Sequence, residues 1–127
     1  MESATLQKIR VLIADDHRLF ADALAAILAT DERIEVVGKA EDGAEAVELA
    51  ASTHPDVVLM DIAMPKLDGV EAAKRITQGA DSAAVLMLTG SDSPTDVARA
   101  REAGAAGYVT KDRIASELIA SIHEAIE

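Results

Sequence analysis

The chain has 127 residues and no cysteine, and half of its residues are apolar. This length fits one domain, the apolar content is sufficient for a core, and the lack of thiols excludes disulfides and thiolate metal sites. Twelve basic and 23 acidic residues give a formal net charge of −11, which disfavours direct binding to nucleic acid or to an anionic membrane. No apolar stretch approaches the length of about 20 residues that spans a bilayer, and we expect a cytoplasmic location.

Short apolar runs alternate with helical patterns along the chain. The predicted strands are Ile9–Ala14, Ile34–Val37, Val57–Met60, Ala84–Leu88 and Gly107–Thr110. Five helices are predicted. The first has Phe20, Leu24, Ile27 and Leu28 on its inner face, and the last repeats Ile114, Leu118, Ile122 and Ile126. The other three are Gly43–Ser52, Gly69–Gln78 and Pro94–Ala103, and the last of these has Ser93 as its N-cap and is followed by Gly104.

This alternation predicts an α/β fold, a (βα)5 doubly wound five-stranded parallel sheet in the order 2-1-3-4-5. The strands are continuously apolar, as expected when helices cover both faces of a parallel sheet. A chain of this length is too short for an eightfold barrel. In the flavodoxin-like order, ligands bind at the carboxyl ends of strands 1 and 3.

Polar residues stand where the predicted strands end. Asp15 and Asp16 follow the first strand, Asp61 follows the third, Thr89 the fourth and Lys111 the fifth. Because parallel strands end at the same edge of a sheet, we expect these side chains to lie together. Carboxylates about 5 Å apart repel by roughly 3 kcal/mol per pair, so the cluster requires a cation, and Mg²⁺ is the natural one.

This set of side chains suits phosphoryl transfer. A carboxylate can attack phosphorus without a general base, while Mg²⁺ and Lys111 neutralise the phosphoryl oxygens and Thr89 donates a hydrogen bond. Asp61 is the expected nucleophile because it stands alone, whereas Asp15 and Asp16 can share the metal. Each residue also has an ordinary interpretation, such as a helix cap at Asp16 or a surface charge at Lys111, but their joint placement favours the site.

The histidines do not suggest a second site. His17, His54 and His123 lack the spacing of paired metal ligands, and we interpret all three as surface or packing residues. The sequence also contains no glycine-rich phosphate loop and no serine-nucleophile motif.

Four segments resemble the receiver domain of two-component response regulators, most closely the NarL/LuxR-type branch. They are Val11–His17, Met60–Pro65 with Asp68–Gly69, Leu88–Gly90 and Gly107–Lys111. The resemblance covers essentially the whole chain in the usual order and spacing. It implies that residues 1–127 form a single receiver domain, with no output domain in this chain.

The resemblance implies a role for each acidic residue. Asp61 would be the phosphoacceptor, taking a phosphoryl group from a sensor histidine kinase. Asp16, Asp61 and the backbone carbonyl of Ala63 would bind Mg²⁺, and Asp15 would assist through a water molecule.

The resemblance also implies that Lys111 and Thr89 bind the phosphate and that Thr89 and Tyr108 form a switch pair. Phosphorylation adds about −1.5 to −2 charges, Thr89 turns toward the phosphate, and Tyr108 moves into the space that is left. The fourth helix has Val97 as its one large apolar residue, so we expect it to be the mobile element. The implied partners are a histidine kinase and a second copy in a phosphorylation-dependent homodimer, and the implied output is transcription regulation through a helix-turn-helix domain.

Three alternatives stay open at this point. A phosphatase of the haloacid-dehalogenase type would need a second acid where this chain has Ala63. A flavodoxin-like binding module would need a hydroxyl-rich phosphate loop where this chain has Asp15 and Asp16. A receiver that is never phosphorylated would not need every position of the site. We therefore expect a regulatory domain rather than an enzyme; its dimer face and whether it is truncated or stand-alone are left open.

Overall fold

The structure, a computed structural model, describes residues 8–62, 64, 68–79, 83–90 and 94–126. Strands and helices alternate through these residues, as predicted. The strands are β1 (Ile9–Ala14), β2 (Ile34–Ala40), β3 (Val57–Asp61), β4 (Ala84–Thr89) and β5 (Gly107–Thr110). The helices are α1 (Arg18–Leu28), α2 (Gly43–Thr53), α3 (Gly69–Thr77), α4 (Pro94–Glu102) and α5 (Ile114–Ala125), with a short 3₁₀ turn at Lys111–Arg113 before α5.

The strands form one parallel sheet in the order β2-β1-β3-β4-β5, so the predicted α/β doubly wound fold is confirmed. β3 lies at the centre and is buried along its whole length, which explains its unbroken apolar sequence before Asp61. β1 and β3 are neighbours although α1, β2 and α2 separate them in the chain. Their carboxyl ends therefore form the switch point at which such sheets bind ligands.

The core has two halves, one on each face of the sheet. Successive strand residues point to opposite faces, so Leu59 belongs to one half and Met60 to the other. α1 and α5 cover one face with the fully buried side chains of Leu24, Leu28, Leu118 and Ile122. α2, α3 and α4 cover the other face mainly with alanines, namely Ala46, Ala50, Ala72, Ala73 and Ala100.

β2 is longer than the sequence suggests, running to Ala40 beyond its predicted end at Val37. The register of β1 and β2 shifts at this point, since Val36 pairs with Val11 and Gly38 pairs with Leu12. Such a bulge bends an edge strand without ending it. The glycine at position 38 is therefore part of the strand rather than its end.

Aspartates cap two of the helices. Asp42 accepts a hydrogen bond from the Glu45 N–H at the start of α2, and Asp68 accepts one from the Glu71 N–H at the start of α3. α1 instead starts after His17, whose side chain makes no capping bond. The alternative in which Asp16 serves as the cap of α1 is therefore wrong.

α4 is weakly anchored. Ala100 is its one buried residue, whereas α5 buries three large apolar side chains. Gly104 follows the helix with a φ of +83°, the left-handed conformation expected at a helix end. The cap predicted at Ser93 lies outside the described residues. Among the described residues, no helix has both the length and the apolar character needed to cross a bilayer.

Candidate functional site

Three acids meet at the carboxyl edge of the sheet. β1 and β3 pair as far as Met60, so Asp15 and Asp61 follow on adjacent strands. One ligand atom from each of Asp15, Asp16, His17 and Asp61 lies within 4.8 Å of the other three. We call these four residues the acidic cluster. The structure thus brings together the three carboxylates that the sequence placed at this edge.

The carboxylates of the acidic cluster differ in burial. Asp15 and Asp61 are 2% and 3% exposed, whereas the side chain of Asp16 is 31% exposed. Asp15 Oδ1 accepts a hydrogen bond of 2.8 Å from the backbone N–H of His17. Asp15 Oδ2 is buried and accepts no hydrogen bond from any described residue. A buried carboxylate oxygen that has lost its hydration without gaining a donor favours a cation beside it.

Among the described residues, Lys111 supplies positive charge to the site. It follows β5 directly, and its Nζ lies 3.5 Å from Asp61 Oδ2 and 3.9 Å from Asp15 Oδ2. The same Nζ lies 4.7 Å from the centroid of the Phe20 ring on α1, within the range of a cation–π contact. The ammonium is therefore held between two carboxylates and an aromatic face.

Among the residues that the structure describes, the charges of the site do not balance. With His17 neutral, the carboxylates of Asp15, Asp16 and Asp61 outnumber the ammonium of Lys111 by two unit charges. One divalent cation would compensate these two charges. Mg²⁺ prefers carboxylate oxygens and keeps several water ligands, and the site offers both buried and partly exposed carboxylates. The donor set therefore fits Mg²⁺. The backbone carbonyl of Ala63, the remaining predicted ligand, lies outside the described residues.

The first residue of α3 approaches the backbone of Asp61 closely. A Cβ atom on Gly69 would overlap the carbonyl oxygen of Asp61 and would lie 2.9 Å from the Cα of Ile62. Glycine is the residue that leaves room for this approach. Together with the cap at Asp68, it fixes the start of α3 against the end of β3.

Thr89 and Tyr108 lie on the same face of adjacent strands. Thr89 ends β4 and is fully buried, whereas Tyr108 on β5 is 40% exposed. Tyr108 pairs with Met87, two residues before Thr89. A groove of about 190 Å³ beside the Tyr108 ring runs between α4 and β5 and is also lined by Val97 and Arg101. The two residues predicted to form a switch are thus neighbours in the sheet, next to the weakly anchored helix.

Residues 11–123 match the family of response regulator receiver domains. The chain belongs to this family. The transcriptional regulatory protein DegU of Brevibacillus brevis is 41% identical over 121 residues, which are 95% of this receiver domain's chain and 51% of DegU. The transcriptional regulatory protein NarL of Mycobacterium tuberculosis is 35% identical over 122 residues, which are 96% of this chain and 56% of NarL. The chain thus spans about half the length of these curated relatives.

Solved receiver structures superpose on this receiver domain. The signal receiver domain of NarL from Mycobacterium tuberculosis has a TM-score of 0.89 at 35% identity, covering 94% of this chain and 97% of that one. A chain of the CheX–CheY–BeF3–Mg complex from Borrelia burgdorferi has a TM-score of 0.88 at 25% identity, covering all of this chain and 96% of that one. The predicted membership of the NarL/LuxR-type branch is confirmed by these relatives.

Three side chains at the receiver domain's site were missed by the sequence reasoning. His17 was interpreted as a surface or packing residue, but its ring belongs to the acidic cluster. Phe20 was assigned to the inner face of α1, where its contact with Lys111 has no local sequence signal. Thr110 is 5% exposed and pairs with Thr89, and its hydroxyl has no hydrogen-bond partner among the described residues. The position of Thr110 beside Thr89 at the predicted strand ends is the sequence signal that could have identified it.

Proposed function

We propose that this receiver domain is a phosphorylation-activated switch that accepts a phosphoryl group on Asp61 from a sensor histidine kinase. The observation that carries the proposal is the buried carboxylate of Asp61, 3.5 Å from the Lys111 ammonium and next to Asp15 and Asp16. The carboxylate is a nucleophile that needs no base. Because the named relatives are transcriptional regulators, we assign a regulatory role to residues 1–127 rather than a metabolic one.

The proposed step is a single phosphoryl transfer. An oxygen of Asp61 bonds to phosphorus while the bond from phosphorus to the donor imidazole nitrogen breaks. The nitrogen keeps the electron pair and takes up a proton from solvent. Lys111 attracts the phosphoryl oxygens, which carry the charge in the transition state.

The carboxylates of Asp16 and Asp61 would hold Mg²⁺, with Asp15 assisting through water. When bound, the ion neutralises oxygens of the phosphoryl group. The excess of negative charge among the described side chains of the site supports this assignment, as does Asp15 Oδ2, which accepts no hydrogen bond from a described residue. The BeF3 and Mg named for the related CheY complex are also in line with it.

We further propose that Thr89 and Tyr108 pass the phosphorylation signal to the surface. Thr89 would donate its hydroxyl to a phosphate oxygen, and the Tyr108 ring would then turn inward from its half-exposed position beside the groove. The altered surface between α4 and β5 would favour a phosphorylation-dependent homodimer. In the cytoplasm, this change would control transcription through a DNA-binding output domain.

Phosphorylation of the purified protein tests the proposal. With Mg²⁺ and acetyl phosphate, the wild type is expected to gain the mass of one phosphoryl group, and Asp61→Asn is expected to gain none. Asp56→Asn is the matched control, because Asp56 lies at the opposite end of β3, and it should behave as the wild type. Uptake by Asp61→Asn, or no uptake by the wild type, would overturn the proposal. Steady turnover of a generic phosphomonoester would indicate a phosphatase instead.

A further inference from the structure

We infer that His17 is an additional metal ligand of the acidic cluster and gives the site a nitrogen donor for borderline cations such as Co²⁺. The inference rests on the metal site of the proposed function and extends it. An all-oxygen site selects hard ions such as Mg²⁺, whereas an imidazole ligand raises the affinity for Co²⁺, Ni²⁺ and Zn²⁺. The site would then bind two classes of cation with different ligand sets.

The position of the His17 ring carries the inference. Its Nδ1 lies 3.3 Å from Asp15 Oδ1 and 3.3 Å from Asp16 Oδ1. Two ligand atoms that are each about 2.0–2.1 Å from one ion lie about 3.0–3.4 Å apart in octahedral or tetrahedral coordination. The ring nitrogen therefore already lies at ligand spacing from each of the two oxygens.

A second observation concerns the other oxygen of the Asp15 carboxylate. Asp15 Oδ2 is completely buried and accepts no hydrogen bond from the described residues. The Lys111 ammonium, at 3.9 Å, is too far away to donate one. By contrast, the His17 ring is 68% exposed, so an ion can reach its nitrogen from solvent without unfolding the site.

The backbone of His17 fixes the ring near the acids. Its N–H donates a hydrogen bond of 2.8 Å to Asp15 Oδ1, so the backbone at His17 is held against the buried carboxylate. This bond does not depend on the side chain. A substitution of the ring can therefore remove the nitrogen donor and leave the loop in place.

Metal titrations of the purified protein test the inference. His17→Gln is expected to lower the Co²⁺ affinity by at least about tenfold, while the Mg²⁺ affinity changes by less than about threefold because oxygen ligands remain. Co²⁺ binding is followed by its visible absorption bands, and Mg²⁺ binding by amide NMR shifts. The wild-type Co²⁺ spectrum should carry the signature of a nitrogen ligand, which the variant loses.

His54→Asn is the matched control. His54 precedes β3, at the opposite edge of the sheet, and its left-handed conformation (φ 51°) suits asparagine. It should bind both ions as the wild type does. An unchanged Co²⁺ affinity of His17→Gln, or an equal loss for both ions, would overturn the inference. Phosphoryl uptake with Mg²⁺ is measured in parallel: its absence in the wild type contradicts only the proposed function, because the Co²⁺ comparison does not require it.

Discussion

Asp15→Asn is expected to stabilise the metal-free protein. Carboxylates within 4.8 Å of each other repel by about 3.5 kcal/mol at an effective dielectric near 20, so Asp15 meets about 7 kcal/mol of repulsion from Asp16 and Asp61. Its attraction to Lys111 at 3.9 Å offsets about 4 kcal/mol of this. Solvent screens both the repulsion from Asp16 and the attraction to Lys111, which are partly exposed, and we expect a gain of about 1–3 kcal/mol. The asparagine oxygen can still accept the His17 N–H.

Urea unfolding in the presence of EDTA measures this gain, and the same experiment with Mg²⁺ measures how much the bound ion stabilises each protein. Mg²⁺ at about 100 times its dissociation constant should stabilise the wild type by about 2.7 kcal/mol and the variant by less. Glu35→Gln is the control, since it removes the same charge from an exposed position on β2. If Asp15→Asn is no more stable than the wild type without metal, repulsion within the cluster is not the dominant energy and the reasoning is wrong.

Three further predictions concern other parts of the fold. Phe20→Leu should abolish the ring-current shifts of the Lys111 side-chain protons in NMR spectra and slow phosphoryl uptake, whereas Phe20→Tyr should preserve both; unchanged Lys111 shifts would contradict the contact. Amide hydrogens of α4 should exchange faster than those of α5, which buries more apolar surface, and equal protection would refute the weak anchoring of α4. The His123 side chain, 2.8 Å away, and the Arg33 backbone N–H lower the pKa of Asp31 by hydrogen bonding. Ionised Asp31 therefore contributes stability that is present above its ordinary pKa of 3.8 and is lost as the pH falls below that value. The difference in unfolding free energy between the wild type and Asp31→Asn should narrow in acid, and a difference that does not change with pH would contradict this.

The fold could be predicted because short apolar runs alternate with helical patterns, and the strand order because 2-1-3-4-5 is common for a five-stranded doubly wound sheet. Val57–Met60 has no alternation of apolar and polar residues, which requires a strand buried on both faces, and β3 is such a strand. The end of β2 could not be predicted in the same way. Gly38 reads locally as a strand end, but its pairing with Leu12 across a bulge keeps it in the sheet, and this pairing is a tertiary effect.

The acids of the site were predictable, whereas the rings around them were not. Asp15 directly follows β1 and Asp61 ends the neighbouring parallel strand β3, so topology alone places them side by side. The contact of Phe20 with Lys111 joins residues that are far apart in the chain and depends on how α1 packs against the end of β5. His17 directly follows the paired acids in the sequence, but the spacing of paired histidine ligands on one helix does not identify such a residue.

The unequal anchoring of the helices beside β5 explains how a charge at Asp61 could act on the surface under the proposed function. Burying one large aliphatic side chain contributes about 1.5–3 kcal/mol, and α5 buries three of them where α4 buries one alanine. The ion pair between Arg99 of α4 and Asp68, which caps α3, spans 3.8 Å and is partly exposed, so it adds at most about 1 kcal/mol. Moving α4 therefore costs much less than moving α5. A change that starts at Thr89 is expected to displace α4 and the Tyr108 ring first, and to leave the opposite half of the core intact.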